Sequence, residues 1–140
     1  MKKKAFKKLN IDLNTSDTLE LVQLYGIGPS FARRIVKFRI ELGGFHSKEQ
    51  LMDVWGMDST RYAGIESEIL ISGEQIQTIN INQATYEELK SHPYIKYQVA
   101  KAIVNYRNQH GFYKSVSGLG GIHLIDQDLL LKLEPYLATE

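Results

Sequence analysis

The segment Tyr25-Gly26-Ile27-Gly28-Pro29-Ser30 sets two glycines one residue apart, directly before a proline and a hydroxyl. Glycine adopts positive φ readily and lets another molecule approach the main chain. Amide N–H groups at the start of a helix point outward and carry partial positive charge. Together these are the parts of a phosphate site, to which Ser30 adds a donor. Arg33, Arg34 and Lys37 follow on the first turns of the next helix, where they can reach neighbouring phosphates. Contacts of this kind position a protein on nucleic acid without reading bases. A plain tight turn between helices also uses glycine, and a row of cations can be a solvated face. The motif alone leaves both readings open.

Other chemistry finds little footing. The glycines lack the Gly-Lys-Ser/Thr ending of a nucleotide-binding loop. There is no cysteine, and His46, His92, His110 and His123 are scattered without ligand spacing. Asp53 and Asp58, or Asp126 and Asp128, are conceivable metal ligands, but aspartates beside short helices serve more often as caps. No serine or threonine has a base nearby in sequence. We therefore expect a binding module and not an enzyme, with no resident metal.

The elements that must present the glycine turn are written twice. Shifting the sequence by 68 positions brings Ile11, Asn14, Glu20, Leu21, Ile27, Ala32, Ile35, Val36 and Arg39 onto Ile79, Asn82, Glu88, Leu89, Ile95, Ala100, Ile103, Val104 and Arg107. Identity at a fixed period marks a duplicated structural unit. Asp17 with Glu20, and Thr85 with Glu88, read as N-caps and capping boxes. A short helix carrying Leu21 and Leu24 is expected to run up to Gly26. Pro29 suits the first turn of the next helix, because its missing N–H has no intrahelical partner there. Phe31, Ile35, Phe38 and Leu42 then recur at helical spacing until Gly43-Gly44. Ser47 with Gln50 forms another capping pattern. Asp58 is expected to cap a helix bearing Tyr62, after a turn at Trp55-Gly56-Met57. That turn and the one at Gly121 lack a second glycine at the same spacing and read as structural. Thr78–Asn82 alternates like a strand but has no evident partner, so it reads as an extended lead-in.

The chain has 140 residues and a net charge of +1. That balance hides an asymmetry: Lys2, Lys3, Lys4, Lys7 and Lys8 precede any acid, and the rest of the chain sums to −4. A slightly acidic folded part has little bulk attraction for nucleic acid, so any binding must use local geometry or the lysine tail. No apolar run is long enough to cross a membrane. We expect a basic tail over 1–9, a first unit over 10–71, a linker over 72–77 and a second unit over 78–138.

These residues resemble the helix-hairpin-helix superfamily, and each unit is similar to the paired hairpin domain of the bacterial late-competence DNA receptor. The likeness rests on Ile11–Ser16, Tyr25–Ala32, Ile35–Arg39 and Gly43-Gly44-Phe45, and then on Ile81–Ala84, Ala100–Arg107 and Gly111-Phe112. It implies an all-α protein of two repeated paired-hairpin units packed together, and a monomer. It implies weak, sequence-independent binding of double-stranded DNA through Tyr25, Gly26, Ile27, Gly28, Pro29, Ser30, Arg33, Arg34 and Lys37. It also allows a monovalent cation held by turn carbonyls between Tyr25 and Gly28.

The second unit departs from this pattern. Pro93-Tyr94-Ile95-Lys96-Tyr97 stands where the first has Tyr25-Gly26-Ile27-Gly28-Pro29. The missing glycines argue against close backbone approach there, although Lys96 and Lys101 can still meet phosphate. Six of the eight tyrosines lie in this unit. Tyrosine is common at protein interfaces and stacks on unpaired bases. Tyr94, Ile95, Lys96, Tyr97 and Lys101 therefore form a secondary surface for DNA or for a protein partner. The bland alternative is that tyrosines such as Tyr106 and Tyr136 close a small core. The rival overall reading is a protein-interaction module of a DNA-processing or secretion assembly.

Overall fold

A computed structural model describes residues 8–72 and 76–140. Lys2, Lys3, Lys4 and Lys7 of the expected tail, and 73–75 of the expected linker, lie outside the described residues. The fold is all-α, with 53% of the described residues in α- or 3-10 helix and a few short strands.

The chain forms two compact units, of which the second takes Ile76–Glu140 together with Glu41–Gly44. The first contains β1 (Ile11–Asp12), α1 (Thr18–Leu21), α2 (Pro29–Leu42, whose end passes to the second unit), α3 (Ser59–Ile65) and β2 (Ile69–Leu70). The second contains β3 (Ile79–Asn80), α4 (Tyr86–Lys90), α5 (Tyr97–His110), α6 (Gln127–Leu133) and β4 (Leu137–Ala138). A 3-10 segment, Lys48–Asp53 or Val116–Gly121, stands between the long and the last helix of each set.

The caps set the helix starts. Asp17 Oδ1 accepts from Glu20 N at 2.8 Å while Glu20 Oε1 accepts from Asp17 N at 2.9 Å. Thr85 and Glu88 repeat that exchange at 3.1 and 2.8 Å. Asp58 and Asp126 cap α3 and α6 by accepting from Arg61 N and Leu129 N. Each exchange satisfies amides that have no partner inside their helix. The first helix ends earlier than its sequence suggests. It stops at Leu21, and i→i−3 bonds from Gln23 to Glu20 and from Leu24 to Leu21 tighten the chain before Gly26.

The isoleucine-rich lead-ins are paired strands, contrary to the sequence expectation. Ile79–Asn80 runs parallel to Leu137–Ala138, and Ile11–Asp12 to Ile69–Leu70. Each partner stands at the far end of its own unit, beyond the reach of local pattern.

Each unit has its own core. Leu13, Leu21, Ile35, Phe45, Leu51 and Ile65 are fully buried in the first. Ile81, Leu89, Ala100, Ile103, Leu119 and Leu133 are fully buried in the second. One polar device recurs in both. Arg39 Nη1 donates to the carbonyls of Leu13 and Ser16 at 3.0 and 2.7 Å, and Arg107 Nη1 to those of Ile81 and Ala84 at 2.8 and 2.9 Å. The matched arginines thus tie down the loop before the first helix through its carbonyls. Burial pulls Arg39 below its usual pKa, and Asp12 partly opposes this.

Candidate nucleic-acid interface

The first hairpin turn is closed by Ile27 N donating to Leu24 O at 3.1 Å, with Gly26 at φ +83°. Only glycine adopts that φ without strain. Helix α2 starts at Pro29, and its first intrahelical bond runs from Ala32 N to Gly28 O at 2.8 Å. The amides of Gly28, Ser30 and Phe31 precede that bond and have no partner within the helix. Gly28 is unlike Gly26. Its φ is not positive, and a Cβ built on it would meet nothing within 4 Å. The sequence expectation of positive φ at both glycines therefore holds only for Gly26.

The side chains sort into those facing out and those turned in. Tyr25 is 85% exposed at the tip. Ser30 and Arg33 are exposed and linked, Arg33 Nη2 donating to Ser30 Oγ at 3.3 Å; Lys37 is exposed farther along α2. Ile27 is buried, so it can offer a ligand only its main chain. Arg34 is committed elsewhere: its Nη1 donates to Trp55 O at 2.7 Å, and its guanidinium lies 4.8 Å from the Trp55 ring centroid. The sequence reading missed Arg61 and Trp55. Arg61 Nη1 donates to Gly56 O at 3.0 Å, and its guanidinium lies 4.8 Å from the Phe31 ring centroid. The signal was present: Trp55-Gly56-Met57 repeats the aromatic–glycine–aliphatic order of Tyr25-Gly26-Ile27. Gly56 has φ +92°, and Met57 N donates to Val54 O at 3.0 Å.

A monovalent cation at the first turn, as the resemblance allows, would have to be held by main-chain carbonyl oxygens. Leu24 O and Gly28 O already accept hydrogen bonds. Tyr25, Gly26 and Ile27 supply the carbonyls by which such an ion would be held. Among the described residues no group of three or more His, Cys, Asp or Glu could hold a metal ion.

The second hairpin keeps the skeleton without the glycines. Ile95 N donates to His92 O at 3.0 Å and Ala100 N to Lys96 O at 2.9 Å, matching the first hairpin bond for bond. Lys96, in the place of Gly28, has an ordinary φ of −73°. Tyr94, in the place of Gly26, has no positive φ. Of the secondary surface, Lys96, Tyr97 and Lys101 are exposed. Ile95 is buried. Tyr94 is half-buried, its ring 5.5 Å from that of His92 and 6.3 Å from that of Tyr136. Tyr97 and Lys101 line an open groove of about 490 Å³ with Tyr86, Val104 and Asn105.

His92 is buried, and its tautomer follows from its partners. Nδ1 accepts from Tyr94 N at 3.1 Å, so Nε2 carries the proton that is donated to Leu42 O at 2.9 Å. Burial lowers its pKa, opposed by the bond to Leu42. Tyr113 donates its hydroxyl to Ile103 O at 2.8 Å, and burial pushes its pKa up to about 12. Tyr136 is wholly buried, and Tyr106 stacks on Tyr113 at 5.6 Å. These tyrosines close a core, as the blander sequence reading expected.

No helix among the described residues is long and apolar enough to cross a membrane. Comparison with known proteins places both units. The helix-hairpin-helix motif matches residues 6–69 and again 74–138. Among curated relatives, the Endonuclease/exonuclease/phosphatase family domain-containing protein 1 of Danio rerio is 31% identical over 138 residues. The alignment covers 86% of this chain and 25% of the relative. The Mus musculus protein of that name is 30% identical, covering 78% of this chain and 24% of the relative. The chain thus spans about a quarter of the length of these relatives. They are vertebrate proteins, and neither bears the name of a competence receptor. No solved structure matches the chain with significance. The chain belongs to the helix-hairpin-helix family.

Proposed function

We propose that the chain binds double-stranded DNA without sequence preference, with the first hairpin turn seated on the sugar-phosphate backbone. One observation carries this reading. The second hairpin builds the same turn and the same helix start with lysine in the place of Gly28, so the fold does not require glycine there. Open space above Gly28 is what a phosphate approaching the amides of Gly28, Ser30 and Phe31 needs. Arg33 and Lys37 would meet adjacent phosphates. Helix-hairpin-helix motifs in general bind DNA without sequence preference.

We read the chain as a binding module, not an enzyme. Its relatives are named for an endonuclease/exonuclease/phosphatase domain, and this chain matches only a quarter of their length. In such a setting the module would hold DNA for chemistry done elsewhere, in repair, recombination or uptake. The likeness to the late-competence receptor motivates uptake on sequence motifs alone.

The test is titration of duplexes of unrelated sequence at fixed salt. Similar affinities, reduced several-fold by Gly28→Leu without loss of helicity, would support the proposal. Sequence-selective binding, or no binding at low salt, would overturn it. A second reading takes the groove of Tyr86, Tyr97 and Lys101 as a protein surface. A partner captured by the chain and released by Tyr97→Ala, alongside absent DNA binding, would favour it.

A further inference from the structure

We propose that Trp55 stacks on an unpaired base, so that the first unit prefers DNA with an exposed base, at a gap or a single-strand junction, over continuous duplex. This rests on the reading that the Gly26–Gly28 turn holds the backbone.

Trp55 is the single tryptophan of the chain and is 79% exposed at the tip of the second turn. An indole left in water forgoes a large apolar gain. It is also held in place. The Arg34 guanidinium lies over the ring, and the same arginine donates to the Trp55 carbonyl. A ring so exposed, with a cation against one face, keeps its other face for a planar partner. Positive φ at Gly56 fixes the turn that presents it.

The second turn is poorly made for phosphate. Where the first turn has Gly28 before its helix, this one has Asp58, whose carboxylate caps α3. A second anion would be repelled there, so what the turn offers is the indole. Its neighbours are nevertheless cationic. Arg34 and Arg61 both lie against Phe31, at 4.9 and 4.8 Å. Arg61 also joins the two turns: it donates to Gly56 O, and its Cγ lies 3.5 Å from the position a Cβ on Gly26 would take. One DNA strand can therefore leave a phosphate at the first turn and set a neighbouring base on Trp55. Inside an intact duplex each base is already stacked on both sides. Only an unpaired or terminal base has a free π-face to give.

Because Trp55 is the sole tryptophan, its fluorescence reports the stacking directly. The experiment titrates the full chain with a continuous duplex and with the same duplex carrying a short gap. We expect the gapped DNA to quench Trp55 and to bind more tightly, the continuous duplex to leave emission nearly unchanged, and Trp55→Ala to abolish the preference. Stacking on one base corresponds to about 5- to 150-fold in affinity. Trp55→Phe should keep part of it. Equal affinities without quenching, while Gly28→Leu still weakens both, would overturn the stacking and spare the backbone reading. No binding of either DNA would overturn both. Circular dichroism of each variant shows whether its fold is kept.

Discussion

The two hairpins of this chain share a skeleton and differ at the residues that crown their turns. Inward positions repeat at the 68-residue register: Ile27 and Ile95, Ala32 and Ala100, and Arg39 and Arg107 play matched parts. Outward positions do not. Exposed Gly28 stands opposite Lys96 in that register and exposed Trp55 opposite His123, while the half-buried Arg34 and Arg61, which brace the turns of the first unit, stand opposite Ala102 and Leu129 on the second core. A duplicated unit thus serves as its own control. What both copies keep is what the fold needs, and an exposed feature kept only by the first, such as Gly28, is what the proposed DNA contact would use.

The largest effects expected are on stability, and they should be symmetric. Each of Arg39 and Arg107 satisfies two carbonyls with charge-assisted bonds. Arg39→Ala or Arg107→Ala should each cost about 2–4 kcal/mol, since bonds from a charged donor are worth more than neutral ones. Urea unfolding of the two variants checks this. A large destabilisation for one and none for the other would break the claim that the scaffolds are equivalent.

The next effect should be asymmetric. Arg33→Ala with Lys37→Ala in the first unit should flatten the salt dependence of DNA affinity by about 0.9 for each phosphate no longer neutralised. Lys101→Ala in the second unit should leave the slope nearly unchanged. Deleting residues 1–9 sharpens the comparison from outside the hairpins. We expect an intermediate flattening, with the lysine tail adding attraction and the hairpin fixing orientation.

The smallest effect concerns pH and belongs to the second unit, which has His92 where the first has Leu24. Burial lowers the folded pKa of His92. The unfolded chain therefore takes up a proton, below about pH 6.5, that the folded chain refuses. Stability should fall as the pH drops from 7 toward 5.5 and level off below the folded pKa. Urea midpoints across that range check this, and His92→Gln should flatten the acid fall. At the other end, Tyr113 has a raised pKa of about 12 where the first unit has Phe45. Its contribution is intact below about pH 10 and disappears as the pH rises toward 12. Tyr113→Phe should remove that alkaline fall.

Much of this architecture was legible in the residues. Asp17, Thr85, Asp58 and Asp126 cap helices through local bonds, which is why their positions could be read directly. Pro29 and Leu42 bound α2 as the apolar spacing predicts. The strands were not legible, because Ile79 pairs with Leu137 and neither carries a local sign of the other. The partner of Arg34 was hidden for a similar reason. Its place on an exposed helix turn suggests phosphate, but the Trp55 carbonyl that claims it comes from a distant turn. Gly28 and Gly26 look alike in sequence and differ in φ, a distinction that only the backbone reveals.

The central claim, that the first turn keeps its glycine for an approaching phosphate, is tested most directly by one matched pair. Gly28→Leu fills space that no described residue beyond its two chain neighbours occupies within 4 Å of the new Cβ. Lys96→Leu makes the same residue at the matched position of the second hairpin. Both variants should keep wild-type helicity and unfolding midpoints. Duplex affinity at fixed salt should fall several-fold for Gly28→Leu and less than about twofold for Lys96→Leu, which removes at most one exposed cation from a phosphate. Unchanged affinity for Gly28→Leu, or an equal weakening for both, would contradict the account.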